Sequence, residues 1–67
     1  MGSLGSDIKA RRRFLGLNQH DLAELSGTSE RFIRDLEHGK SSVRLDKLTA
    51  VLNVLGLQLR AEARTHE

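Results

Sequence analysis

The 67-residue sequence contains no cysteine and no proline. Without cysteine the chain can form neither a disulfide framework nor a cysteine-ligated zinc site, the usual reinforcements of so small a domain. The only aromatic residues are Phe14 and Phe32, and no apolar run approaches the roughly 20 residues that a membrane span needs. No signal peptide is visible either, so a cytoplasmic protein is expected. A chain this short hides only about 60% of its unfolded surface, which predicts a thin core and stabilisation by oligomerisation.

The charged residues are distributed unevenly along the chain. Hydrophobic residues make up 37% and charged residues 30%, a balance that fits one compact helical domain rather than a disordered tail. The formal net charge is only +2, but the basic residues form two clusters. The first contains Lys9, Arg11, Arg12 and Arg13, and the second Arg31, Arg34, Lys40 and Arg44. Such clusters favour a phosphate-bearing partner, with ordinary solubility as the alternative interpretation.

Capping residues and hydrophobic spacing predict four helices. Ser6, Asn18 and Ser29 suit the N-cap position, where a short polar side chain accepts a hydrogen bond from the first turn. From Leu45 to Leu55, leucines recur at intervals of three and four residues, which is the helical period. The helices are predicted over residues 7–15, 19–26, 30–37 and 45–55, within one domain over residues 7–56. Residues 1–6, rich in glycine and serine, are expected to be a disordered N-terminus or an expression remnant.

The last part of the chain has a different pattern. Over residues 57–63 apolar and polar side chains alternate, which predicts a β-strand. A lone strand leaves its backbone hydrogen-bonding groups unsatisfied, and no second strand is indicated. The segment is therefore either disordered or paired outside the chain, most simply with its own copy across a two-fold axis. The expected dimer interface consists of Val51, Val54, Leu55, Leu57 and Leu59. Residues 64–67 are expected to fray.

The two middle helices are joined by only three or four residues around Gly27. So short a connection forces the helices to cross steeply. Ala23 is small enough to permit the close crossing, and Gly27 supplies a permissive backbone at the corner. Ile33 and Leu36 anchor the second of the two helices, which leaves its opposite, polar face free of core contacts.

These features resemble the helix-turn-helix family of lambdoid phage repressors, Cro and Xre-type regulators. The resemblance covers about residues 8–55 and is carried by residues 15–19 and 22–25, Gly27, Ile33 and residues 36–40. Residues 43–48 and 55–59 are most similar to small HipB-like antitoxin regulators. Phe14 and Thr28 depart from the family pattern, and Thr28 could loosen the turn. The resemblance implies an all-α, four-helix, lambda-repressor-like DNA-binding domain, followed here by a short strand that pairs across a dimer.

The resemblance also implies roles for individual side chains. The residues expected to read DNA bases are Ser29, Glu30, Arg31, Arg34 and Asp35. Those expected to bind DNA phosphates are Asn18, Gln19, Lys40, Ser41 and Arg44. Arg12 is expected to form a structural ion pair with Glu37 rather than to contact DNA.

Less specific interpretations remain open for several of these residues. Glu30 could simply stabilise the positive end of its helix, and Arg34 could pair with Glu30, four residues earlier. The three histidines, His20, His38 and His66, share no metal-ligand spacing and are expected on the surface. The sequence indicates no catalytic set, metal site or cofactor, so no enzyme is expected.

The function implied by the resemblance is that of a sequence-specific transcriptional regulator. The protein would bind a palindromic operator in double-stranded DNA as a homodimer, most simply as a repressor. An antitoxin with a toxin partner is the preferred narrower hypothesis. A phage-type repressor without a toxin, a protein-interaction module and a non-specific nucleic-acid-binding protein are the alternatives.

Overall fold

The computed structural model describes residues 2–64 and contains four α-helices. They are α1 (Gly2–Phe14), α2 (Gln19–Ser26), α3 (Glu30–Glu37) and α4 (Leu45–Leu55). Both α1 and α2 pack against α3 and α4. No strand forms within this part of the chain, so the fold is all-α. None of these four helices is long and apolar enough to cross a membrane.

The two middle helices begin at the predicted capping residues. The Asn18 side chain accepts a hydrogen bond of 2.7 Å from the backbone N–H of Asp21, and the Asp21 carboxylate accepts one of 3.0 Å from the N–H of Asn18. This reciprocal pair is a capping box. At α3, the Ser29 hydroxyl accepts a 3.0 Å hydrogen bond from the N–H of Phe32. The bounds of α2, α3 and α4 agree with the predicted ones.

The turn between α2 and α3 depends on Gly27. Its φ of 70° lies in the left-handed region, where a side chain would be strained. The N–H of the next residue, Thr28, donates a 2.9 Å hydrogen bond back to the carbonyl of Ala23. The Thr28 hydroxyl lies 2.9 Å from that of Ser26. Thr28 is therefore hydrogen-bonded within the turn through both backbone and side chain.

The core is small and aliphatic. Its buried hydrophobic residues are Ile8, Leu22, Ala23, Ile33, Leu36, Leu48, Val51, Leu52 and Leu55. The last four belong to α4, which thus supplies the largest share of the apolar burial. Burying each large aliphatic side chain contributes about 1.5–3 kcal/mol. In α3, Ile33 and Leu36 are buried and Phe32 packs against the core, whereas Glu30, Arg31 and Arg34 are exposed to solvent or to a partner.

The start of α1 differs from the prediction. Residues 2–6 are helical rather than disordered, so α1 begins at Gly2 and Ser6 lies inside the helix instead of capping it. Leu4 is half-buried and packs against the core. Tertiary packing thus overrides the low helix propensity of this glycine- and serine-rich segment.

Gly5 is buried at a close approach between α1 and the end of α3. A Cβ atom at this position would lie 2.6 Å from the carbonyl oxygen of Leu36 and 2.8 Å from that of Glu37. Real Cβ contacts are essentially never this short, and the obstructing atoms are backbone, so one helix would have to move. Only glycine fits at this crossing without a shift.

Replacing Gly5 by alanine is therefore expected to lower the free energy of unfolding by about 1–3 kcal/mol. The displaced packing should outweigh the helix propensity of about 1 kcal/mol that alanine gains over glycine. Urea unfolding followed by circular dichroism measures the difference. Ser6→Ala is the matched control, because Ser6 is exposed in the same helical turn. Equal stability of the two variants would contradict the close approach.

The predicted C-terminal strand is not observed in the single chain. After α4 ends at Gly56, residues 57–64 form neither helix nor strand. Leu57 is half-buried against the core, whereas Leu59 is 48% exposed. The expectations for Met1 and for residues 65–67, including the surface position of His66, lie outside the described residues.

Two of the five expected dimer residues belong to the core instead. Val51 and Leu55 are fully buried within the single chain, so they cannot contact a partner without unfolding. Both follow Leu48 at helical spacing and therefore lie on the inner face of α4. Val54 and Leu57 are half-buried and Leu59 is exposed, so these three of the five expected residues keep apolar surface available for a second chain.

Candidate nucleic-acid interface

The polar face of α3 projects from the domain. Ser29, Glu30, Arg31 and Arg34 are exposed, and Asp35 is half-buried. Neither Arg31 nor Arg34 forms an ion pair with any residue in the described range. The local pair between Arg34 and Glu30, an interpretation that the sequence left open, is therefore not formed. Both guanidinium groups remain available for a planar, hydrogen-bonding partner.

Glu30 contacts α2 rather than its own helix. Its Oε2 atom lies 2.9 Å from Nδ1 of His20. This contact brings the start of α2 next to the start of α3. Sequence reasoning missed it, because His20 lies ten residues from Glu30 and no local spacing connects them.

The expected phosphate-binding residues after α3 are tied to nearby carboxylates. Nζ of Lys40 lies 3.8 Å from Oδ2 of Asp35. The Arg44 guanidinium donates hydrogen bonds of 2.7 and 3.1 Å to the Asp46 carboxylate. The hydrogen bond from Arg44 is the main cause of a lowered pKa for Asp46. Exposed pairs of this kind are weak, so a phosphate group could replace the carboxylates. Ser41 is exposed.

A buried ion pair joins α1 to the end of α3. Nε and Nη2 of Arg12 donate hydrogen bonds of 2.6 and 3.0 Å to the two carboxylate oxygens of Glu37. Nη1 of Arg12 also donates a 2.9 Å hydrogen bond to the carbonyl of Leu17, in the loop after α1. The two side chains are only 8% and 2% exposed. The pair thus fixes α3 against α1 and the following loop, as expected from the resemblance.

The electrostatics of this pair favour the charged forms. Burial alone would raise the pKa of Glu37, but hydrogen bonds from Arg12 and Gln19, with the positive charge of Arg12, outweigh it and leave the pKa below its usual value. The pKa of Arg12 is instead raised, mainly by its hydrogen bond to Glu37. Both groups are therefore ionised at neutral pH.

Gln19 extends the ion pair to the start of α2. Its Nε2 atom donates a 3.1 Å hydrogen bond to Oε1 of Glu37. The neighbouring Asn18 side chain is occupied in capping α2. With Gln19 beside the end of α3 and His20 beside its beginning, the N-terminus of α2 lies along α3.

A further arginine has a structural role that the sequence did not indicate. Nε of Arg11 donates a 2.9 Å hydrogen bond to the carbonyl of Leu55, across 44 residues of sequence. The guanidinium also lies 5.1 Å from the centre of the Phe14 ring. The Arg11 side chain therefore caps the end of α4 and is not simply a solvated surface group.

An open cleft of about 170 Å³ lies between α3, the following loop and α4. This cleft is smaller than a typical small-molecule site, which usually exceeds about 300 Å³. Lys47 lies 5.9 Å from the centre of the Phe32 ring at this cleft. Residues 2–64 contain no group of three His, Asp or Glu side chains placed to hold a metal ion.

Comparisons with known proteins agree with this geometry. The family model described as Helix-turn-helix matches residues 8–61. A relative from Sinorhizobium fredii (strain NBRC 101917 / NGR234), named "Uncharacterized HTH-type transcriptional regulator y4mF", is 36% identical over 56 residues. The alignment covers 84% of this chain and 74% of the relative. The chain belongs to the helix-turn-helix family of transcriptional regulators.

The predicted resemblance to the Xre/Cro-type helix-turn-helix family is thereby confirmed. In this chain α2 and α3 are the two helices of the motif, and Gly27 lies in its turn. Membership of this family also supports the expected class of function, which is DNA binding and transcriptional regulation.

Proposed function

We propose that this helix-turn-helix protein is a cytoplasmic repressor that reads DNA sequence with α3 in the major groove. The observation that carries the proposal is the pair of exposed arginines, Arg31 and Arg34, without carboxylate partners in the described chain. Arginine can donate two parallel hydrogen bonds to O6 and N7 of guanine. Asp35 and the N-cap residue Ser29 are the further candidates for base contacts, whereas the Glu30 carboxylate lies against His20 of α2.

Contacts with the DNA backbone would orient α3. Asn18 and Gln19 lie at the start of α2, where free N–H groups and the helix dipole favour a phosphate. Lys40, Ser41 and Arg44 follow α3 and would bind phosphates at its other end. These contacts contribute affinity without sequence preference.

A homodimer would present two copies of α3 to one operator. Apolar surface at Val54, Leu57 and Leu59 supports this arrangement, because it lies on α4 and the tail rather than on the polar face of α3. The backbone of residues 57–63 has no ladder partner within residues 2–64, and pairing with a second copy would supply one. A two-fold dimer places its recognition helices about 34 Å apart, matching a palindromic site.

Selection of binding sites from random double-stranded DNA by the full chain tests this proposal. We expect enrichment of an inverted repeat whose half-sites are centred about one helical turn, roughly 10 base pairs, apart. A scrambled duplex should bind more weakly at each of two salt concentrations. Equal affinity for selected and scrambled duplexes would instead indicate non-specific binding. Enrichment of an unrepeated half-site would contradict the dimer.

An antitoxin role with a toxin partner is the second candidate. It is supported by large hydrophobic side chains that are exposed outside the polar face of α3. Phe14 is 76%, Leu25 61% and Leu45 65% exposed. Such side chains suit contact with another protein.

A further inference from the structure

His20 lies among three carboxylates at the junction of α2 and α3. Its Nδ1 atom is 2.9 Å from Oε2 of Glu30, and its Nε2 atom is 3.6 Å from Oε2 of Glu24. Asp21, the next residue, is the third negative group that acts on the imidazole. Glu24 and Asp21 belong to α2 and Glu30 to α3, so the imidazole connects the two helices of the motif.

This contact is not explained by the stability of the fold. The side chains of His20, Glu24 and Glu30 are 58%, 72% and 55% exposed, and ion pairs at such positions contribute little to folding. The two helices are held together independently by the buried core and by the Gln19–Glu37 hydrogen bond. The contact does, however, occupy the start of α3, where a carboxylate would face DNA phosphates.

We propose that His20 is a positioning residue for DNA binding, which holds the Glu30 carboxylate against α2 and offsets its negative charge beside the DNA. The inference rests on the proposed function. A free Glu30 side chain could move toward the phosphates and repel them. A Glu30 side chain held by His20 has a defined position and a compensated charge, and it leaves the neighbouring Arg31 and Arg34 unopposed.

The arrangement makes DNA binding depend on pH. The hydrogen bond to Glu30 and the charges of Glu24, Glu30 and Asp21 raise the pKa of His20, and DNA phosphates would raise it further. The complex then binds more protons than the free protein, so affinity for DNA increases as pH falls through the pKa of His20. Uptake of one proton limits the change to about tenfold per pH unit.

Fluorescence anisotropy with a selected duplex at constant salt, from pH 8 to pH 6, tests the proposal. We expect the full chain to bind about three- to tenfold more tightly at pH 6 than at pH 8. His20→Gln should weaken binding at pH 6 and remove most of this dependence. Glu30→Gln should strengthen binding at pH 8 and move the pH dependence to lower pH, because His20 loses the carboxylate that contributes most to its raised pKa. His38→Gln is the matched control and should retain the dependence, because the described hydrogen bond of the His38 imidazole is to the backbone carbonyl of Arg34 and not to a carboxylate.

Two further readouts separate the possible failures. NMR titration of the free protein should show a lower pKa for His20 in Glu30→Gln than in the parent, which tests the contact without DNA. If the parent and His20→Gln bind DNA with parallel pH profiles, His20 has no positioning role, although the proposed function stands. If no duplex is bound at any pH, the proposed function fails, and this inference fails with it.

Discussion

Replacing Glu37 by alanine is expected to lower the free energy of unfolding by about 3–5 kcal/mol. The change leaves the Arg12 guanidinium buried without its carboxylate, and an unpaired buried charge is far more unfavourable than a missing surface contact. Domains are stable by only about 0.05–0.15 kcal/mol per residue, so a 67-residue chain could lose most of its folded population. Circular dichroism during urea unfolding at neutral pH measures the loss.

A double variant keeps this prediction testable if Glu37→Ala does not fold. Replacing Arg12 by methionine and Glu37 by leucine together removes both charges and retains apolar volume. Such replacements of buried ion pairs are often neutral or stabilising, so the double variant should be more stable than Glu37→Ala or Arg12→Met alone. A cycle built from Arg12→Met, Glu37→Leu and the double variant gives the coupling energy. Coupling near zero would show that the pair does not act as a unit.

The Arg12–Glu37 ion pair also predicts how the free energy of unfolding depends on pH. Because the pKa of Glu37 is lower in the folded chain than its usual value, the folded state binds fewer protons than the unfolded state near that value. The contribution of Glu37 is therefore complete above its usual pKa and is lost as pH falls through the lowered one. Urea unfolding below pH 5 should show a steeper loss for the parent than for the double variant.

The parts of the fold that were predictable depend on local chemistry. Asn18 and Ser29 accept hydrogen bonds from N–H groups three residues ahead, so their spacing alone located the starts of α2 and α3. The left-handed conformation of Gly27 is likewise a local requirement. The Arg12–Glu37 pair is not local, since it spans 25 residues, and it was expected only through the family resemblance.

The features that were missed depend on tertiary contacts. The helical start of α1 is stabilised by Leu4 against the core and by the fit of Gly5 beneath the end of α3. Neither contact leaves a signal in a segment of glycine and serine. Val51 and Leu55 were expected at a dimer interface, but both are fully buried in the core of the single chain.

The candidate site was predicted as a set of residues but not as an arrangement. The spacing of Ile33 and Leu36 indicated which side of α3 faces outward, and on that side Glu30, Arg31 and Arg34 are exposed and Asp35 is half-buried. The sequence could not indicate which carboxylate side chain pairs with which basic side chain. Arg44 with Asp46 and His20 with Glu30 are pairs formed by loop and turn geometry, which no periodicity encodes.

Replacing Arg31 and Arg34 by alanine is expected to abolish sequence preference in DNA binding. Each bidentate arginine–guanine contact is worth about 1–3 kcal/mol of discrimination, so each single variant should lose about tenfold to a hundredfold in affinity for the selected operator. Both side chains are exposed and make no described ion pair, so the fold should be retained. Anisotropy titrations against selected and scrambled duplexes measure the effect, with circular dichroism as the check on folding.

Lys40→Ala and Arg13→Ala distinguish base reading from simple charge loss. Each removes one positive charge, as the α3 variants do. Lys40→Ala should weaken binding to selected and scrambled duplexes by a similar factor and reduce the salt dependence, because a phosphate contact carries no sequence information. Arg13 is exposed on α1, and its removal should have the smallest effect. If all four variants lose the same factor on both duplexes, affinity arises from net charge, and α3 does not read sequence.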